Sequence, residues 1–230
     1  MMKMTKQKNA KTLKALKRSL SDRKRTVPSK FQKLVEKCDA LGKEWRIRDH
    51  AVLGKGMYGK TYIVCREKST NCEYVLKIQK KNGLFYDEVL ALSELQETGV
   101  VPRLYAAWTC KSRGFIVMEK LETLEWTADN LHENFDKLKA TVAAVHDQGW
   151  LHMDLHPGNV MKRKGTGEIV LLDFGMSVKR FGSSKHHSRN LFIMPSPTGP
   201  QLWSFDQLKN SELYYVSKPR NFLRKMLPEM

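Results

Sequence analysis

Asp154 and Asn159 stand five residues apart in Trp150-Leu151-His152-Met153-Asp154-Leu155-His156-Pro157-Gly158-Asn159, and Asp173-Phe174-Gly175 follows fourteen residues beyond Asn159. In a loop, the first spacing turns one carboxylate and one amide towards the same cleft. Carboxylate and amide oxygens are hard donors of the kind magnesium takes. Phosphoryl transfer asks for few protein parts: phosphate clamps, metal ligands and a carboxylate that orients the attacking hydroxyl.

Two further features supply clamps. Gly54-Lys55-Gly56-Met57-Tyr58-Gly59 lies between strand-like segments and opens no helix, which argues against a dinucleotide fold. A glycine loop joining two strands lets backbone N–H groups lie close over phosphates, although a plain hairpin also accounts for such glycines. Eighteen residues after Gly59, Lys77 sits in the apolar run Val75-Leu76-Lys77-Ile78. A buried ammonium needs a nearby anion. The next helix offers Glu88, with Glu94 as a second option. Glu88 is preferred, because Val89, Leu92 and Leu95 then share one apolar face.

These side chains need a scaffold. Residues rich in Val, Ile, Tyr and Thr predict strands over 46–54, 59–66, 72–79, 103–108 and 115–119. One helix interrupts them over about 84–96 and stops near Thr98-Gly99. A second helix over 135–146 carries Leu138, Val142 and Val145 and stops at Gly149, and short apolar pieces at 159–161 and 168–172 flank Gly165-Thr166-Gly167. Five strands with one helix, then a helix and a hairpin, give an α+β fold of two lobes. The expected divisions are a basic arm at 1–48, an N-lobe at 49–120 and a mainly helical C-lobe at 121–230. Within the arm, Leu13, Leu16 and Leu20 allow an amphipathic helix, and Phe31, Leu34, Val35 and Cys38 give a second helical period.

With its parts in this order, the chain resembles the protein kinase superfamily over about residues 52–175. Glycine loop, strand lysine, helix glutamate, H-x-D-x-x-x-x-N and D-F-G are weak signals singly and highly specific together. The resemblance implies that Gly54, Gly56 and Gly59 cover the phosphates of ATP, and that Lys77, paired to Glu88, holds the α- and β-phosphates. Asp154 would orient the substrate hydroxyl, and Asn159 and Asp173 would ligate magnesium. Met118-Glu119-Lys120-Leu121 falls at the hinge, whose backbone would bond adenine, with Leu53, Val75 and Leu172 as apolar walls. The implied activity is ATP- and magnesium-dependent transfer to serine or threonine hydroxyls of protein substrates.

Several positions depart from that pattern. Met153 replaces the arginine usual before the catalytic aspartate, so activation-loop phosphorylation lacks its basic partner. His156 replaces a usual lysine, and Thr61 a usual valine. The run Asp154-Leu155-His156-Pro157-Gly158-Asn159 is also similar to the loop of small-molecule phosphotransferases and atypical kinases. Only 55 residues follow Gly175, without an A-P-E, so a shortened C-lobe is expected, as in compact atypical kinases and those of large DNA viruses. The alternatives are a small-molecule phosphotransferase and a basic scaffold that keeps the fold without turnover. Residues 183–198 would form the activation segment, and His186-His187 reads as a polar loop rather than a metal site.

Composition bounds the rest. With 230 residues, 41% of them hydrophobic, the chain can bury a core, which excludes wholesale disorder. No apolar run approaches the ~20 residues of a membrane-spanning helix. The net charge of +17 is segregated: 16 Lys+Arg against 4 Asp+Glu in residues 1–48, 16 against 17 in 49–175, and 9 against 3 in 176–230. The arm is therefore a candidate contact for nucleic acid or another polyanion. Cys38, Cys65, Cys72 and Cys110 are scattered without metal-ligand spacing and read as thiols of a reducing compartment. Residues 1–10 are lysine-rich and lack the apolar core of a secretory signal. An intracellular protein is expected, cytoplasmic or nuclear (host cell or virion for a viral chain).

Overall fold

The computed structural model describes residues 34–56, 59–70, 72–180, 191–194 and 201–223. Five antiparallel strands form the first lobe: β1 (Trp45–Lys55), β2 (Gly59–Arg66), β3 (Tyr74–Lys80), β4 (Leu104–Cys110) and β5 (Arg113–Glu119). Their order across the sheet is β1-β2-β3-β5-β4. β3 is central, and its burial is almost continuous because both of its faces are covered. On one face Leu76 joins Ala40, Trp45, Val64, Trp108, Phe115 and Val117 in a core cluster. Trp108 and Phe115 are cross-strand partners with their rings stacked 5.1 Å apart.

Alternation along β3 turns Val75, Lys77 and Gln79 to the opposite side. There helix α1 (Gly83–Glu94) buries Phe85, Glu88, Val89, Ala91 and Leu92. Asn82 caps it by accepting the Phe85 N–H, and the chain leaves through Gly99 in the left-handed region, φ 71°. Phe85 lies so close to β5 that a Cβ on Gly114 would stand 2.4 Å from its ring. That contact seats the helix against the sheet.

The second lobe is built on helix α2 (Leu131–Asp147), whose Phe135, Leu138, Val142 and Val145 are buried. Short strands β6 (Glu122–Thr123), β8 (Val160–Lys162) and β9 (Ile169–Leu171) form one small sheet. In two further sheets β7 (Trp150–Leu151) pairs with β10 (Val178–Lys179), and β11 (Leu191–Met194) with β12 (Gln201–Ser204). Helix α3 (Phe205–Val216) starts from a capping box in which Ser204 and Gln207 satisfy each other's backbone N–H groups. Helix α4 (Pro219–Leu223) brings Phe222 against Trp126, Phe135 and Tyr215. The result is the expected α+β architecture. Among the described residues, no helix is long and apolar enough to cross a membrane.

Three sequence expectations change. The helical period at Phe31–Cys38 is not a helix over 34–39; Glu36 makes a parallel bridge to Thr109 at the sheet edge, and Val35 is exposed. Ala40 and Trp45, inside the segment assigned to the arm, belong to the lobe's core. The cysteines are not scattered thiols: Cys38 pairs with Cys110 and Cys65 with Cys72. The sheet brings each pair together, which linear spacing does not reveal. The helix at Leu13, Leu16 and Leu20, and most of segment 183–198, lie outside the described residues.

The Cys38–Cys110 link spans 72 residues and ties the chain before the sheet to its edge strand. A Cys38→Ser, Cys110→Ser chain should lose about 2–4 kcal/mol against urea under oxidising conditions. In reductant the two proteins should match. Equal stability under oxidising conditions would contradict the link.

Candidate active site

The site begins with a lysine on β3. Lys77 Nζ lies 2.8 Å from both Glu88 oxygens and 2.8 Å from Asp173 Oδ1. Gln79, two residues along the same strand face, donates to Glu88 Oε2 at 2.7 Å. Lys77 and Glu88 are 9% and 1% exposed, so each ion depends on the other for its solvation. Burial alone would pull the Lys77 amine down; Glu88 and Asp173 more than reverse this and hold it above its usual range. Burial pushes the Glu88 carboxyl up, with Asp173 adding to the push and Lys77 opposing it. Glu94 faces elsewhere. Its carboxylate accepts from Trp150 Nε1 and pairs with Lys179, tying α1 to the β7–β10 strands.

The second component is the loop after β7. Glu212, on α3, accepts from the backbone N–H groups of His152 and Met153 and lies 2.8 Å from His146 Nε2. The His152 ring then links two parts of the cleft. Its Nε2–H donates to Leu172 O at 2.7 Å, while Nδ1 accepts the Asp154 N–H at 3.2 Å. Acceptance at Nδ1 requires the neutral ring, and burial pushes its pKa below the ordinary value. Asn159 donates its amide to Asp154 O at 2.9 Å, and its own carbonyl accepts the Leu172 N–H at 2.9 Å. Met153 and Asp173 both have positive φ, 65° and 62°, a conformation that surrounding contacts must hold in place. Phe174, fully buried, packs its ring against His152 at 4.6 Å.

The remaining candidates surround these two components. Val75 and Met118 are buried cross-strand neighbours, Glu119, Leu121 and Leu172 are half-buried, and Leu53 is exposed. A Cβ on Gly59 would stand 2.5 Å from Ile78 O, so packing against β3 requires glycine there. Gly54 and Gly56 have nothing within 4 Å of such a Cβ, so protein packing does not require them.

Sequence reasoning missed Gln79, Glu212 and Arg163. Glu212 had a signal: it interrupts the apolar stripe Phe205, Leu208, Val216 on α3, a place where a carboxylate needs buried donors. Gln79 shares Lys77's face at a spacing of two.

Whether these groups suit a magnesium nucleotide is a matter of donor chemistry. Among the described residues no three His, Cys, Asp or Glu cluster as a metal site. One carboxylate, Asp173, and one amide, Asn159, suit an ion that takes its other ligands from water and phosphate oxygens. Beside them Lys77 offers a cation to phosphate and the glycine loop offers unobstructed backbone. The set fits.

The His152 contribution to stability is complete above its ordinary value of 6.5 and is lost as the pH falls below it. Between pH 7.5 and 5.5 the wild type should lose up to about 1.4 kcal/mol more stability in urea than His152→Asn. Identical slopes would contradict a buried neutral ring.

Comparison with known proteins agrees with this geometry. The protein kinase domain model matches residues 47–195. Mouse citron Rho-interacting kinase is 31% identical over 147 residues, covering 56% of this chain and 7% of that protein. A probable casein kinase I homolog of Encephalitozoon cuniculi is 33% identical over 144 residues, 54% of this chain and 43% of that protein. A serine/threonine-protein kinase of Schizosaccharomyces pombe is 27% identical over 187 residues, 74% of this chain and 29% of that protein. The chain thus spans less than half the length of each of these relatives. The buried lysine–glutamate pair, the Asp154 loop and the matched domain together place the chain in the protein kinase family.

Proposed function

We propose that this chain transfers the γ-phosphoryl group of Mg-ATP to serine or threonine hydroxyls of protein substrates. The observation that carries the reading is the Lys77 ammonium held at 2.8 Å from both Glu88 and Asp173. It fixes a cation beside the magnesium-ligand carboxylate, where phosphate charge must be met. Asn159 and Asp173 hold the metal. Asp154 orients the attacking hydroxyl and accepts its proton, in a loop positioned by Glu212 and His152. Bound Mg-ATP supplies the phosphoryl group and part of the neutralising charge.

At the hinge, the Glu119 and Lys120 N–H groups are engaged by Arg103 O and Glu73 O. That narrows the adenine-facing amide to Leu121. Val75, Met118 and Leu172 then enclose the base. Serine or threonine acceptors are supported by the S. pombe relative, which is a serine/threonine-protein kinase. The +12 balance of residues 1–48 supports a role for the arm in holding nucleic acid or another polyanion.

The test is transfer of labelled γ-phosphate to a basic protein, casein and a panel of small alcohols and aminoglycosides. Label should appear on protein serine or threonine, and Asp154→Asn should lower kcat by about 10³-fold with Mg-ATP still bound. Label on a small acceptor would overturn the choice of substrate. Transfer undiminished in Asp154→Asn would overturn the assigned role.

A further inference from the structure

Arg163, just beyond β8, places all five of its N–H donors. Nε and Nη2 reach the two Glu119 oxygens at 2.9 and 3.3 Å. Nη1 reaches Gly99 O at 3.1 Å and Glu168 Oε2 at 2.7 Å, and Nη2 reaches Val101 O at 3.2 Å. The side chain is 12% exposed and its Glu119 partner 15%. Between the two carbonyls it takes, Val100 O accepts the Leu171 N–H at 2.9 Å. Three successive carbonyls of the α1–β4 connection are therefore held by the β8–β9 hairpin. Gly99 reaches this geometry only through its positive φ. Glu119 is fixed from a second direction, since Oε2 also accepts the Arg103 N–H at 3.1 Å.

We infer that Arg163 is a positioning residue for nucleotide binding: it locks the hinge at Glu119 and the α1–β4 turn onto the hairpin that carries Leu172 and Asp173. The inference rests on the Mg-ATP reading above. Arg163 is well placed for this because a planar guanidinium presents its donors in a fixed fork, so one side chain fixes a carboxylate and two carbonyls together. Leu171, bonded to Val100, is the residue before Leu172. The adenine edge at the hinge and the pocket floor at Leu172 are consequently set by one cluster of bonds. Loosening that cluster changes the fit of the base, while Arg163 makes none of the bonds that hold Asp154 to His152 and Asn159 or the loop to Glu212. A residue serving stability alone would not separate nucleotide affinity from turnover.

The experiment measures steady-state phosphoryl transfer and direct Mg-ATP binding for the wild type, Arg163→Ala, Arg163→Lys and Glu119→Gln, each with its melting temperature. In Arg163→Ala, the KM and dissociation constant for ATP should rise at least about tenfold, with kcat within about threefold of wild type. Arg163→Lys, which cannot hold the fork, should recover only part of that loss. Glu119→Gln should weaken ATP binding in the wild-type background and much less beside Arg163→Ala. ATP affinity equal to wild type in the folded Arg163→Lys and Glu119→Gln chains would overturn the inference. So would losses confined to kcat or to melting temperature. A wild type that binds no Mg-ATP would overturn the functional reading itself, and the Arg163 role with it.

Discussion

A lysine ammonium buried in the middle of a sheet is the constraint on which the rest of this structure depends. Lys77 cannot keep its charge on the inner face of β3 without carboxylates close by. One comes from α1, which must pack against the sheet at the depth that brings Glu88 to 2.8 Å. The other comes from Asp173, in the second lobe and ninety-six residues along the chain. Satisfying one cation thus sets the position of a helix, the conformation of the Asp173-Phe174-Gly175 turn and the join between the lobes. Gln79 completes the Glu88 shell, so the buried carboxylate has two neighbouring side-chain donors.

A second buried carboxylate performs the matching task in the lower lobe. Glu212 gathers two backbone amides and a histidine, and so holds the start of the loop that carries Asp154. From there His152 passes the register to Leu172, and Asn159 returns it to Asp154. In a protein interior such groups are costly to leave unmatched, which makes the arrangement discrete rather than continuously adjustable.

Much of this was legible in the sequence because it rests on local signals. The strands and α1 follow from side-chain periodicity and from turn chemistry at Gly99 and Gly149. Lys77 was conspicuous as an ion in an apolar run, and the phasing of α1 chose Glu88 over Glu94. What was illegible depends on long-range placement. The Cys38–Cys110 and Cys65–Cys72 pairs each join a strand residue to one outside the strands, which no spacing rule predicts. Residues 34–39 carry a helical period, yet a sheet-edge bridge and a disulfide hold them otherwise. Arg163 carries no sequence signal of its own, because its partners include backbone carbonyls and a carboxylate supplied by the other lobe.

The central claim is that Glu88 acts through Lys77, and Mg-ATP affinity across a two-by-two set of variants tests it most directly. Calorimetry would compare Glu88→Gln in the wild-type chain with Glu88→Gln in a Lys77→Met chain. The account predicts a loss of roughly tenfold or more in the first background and almost none in the second, where no ammonium remains to be positioned. The same loss in both backgrounds would contradict it.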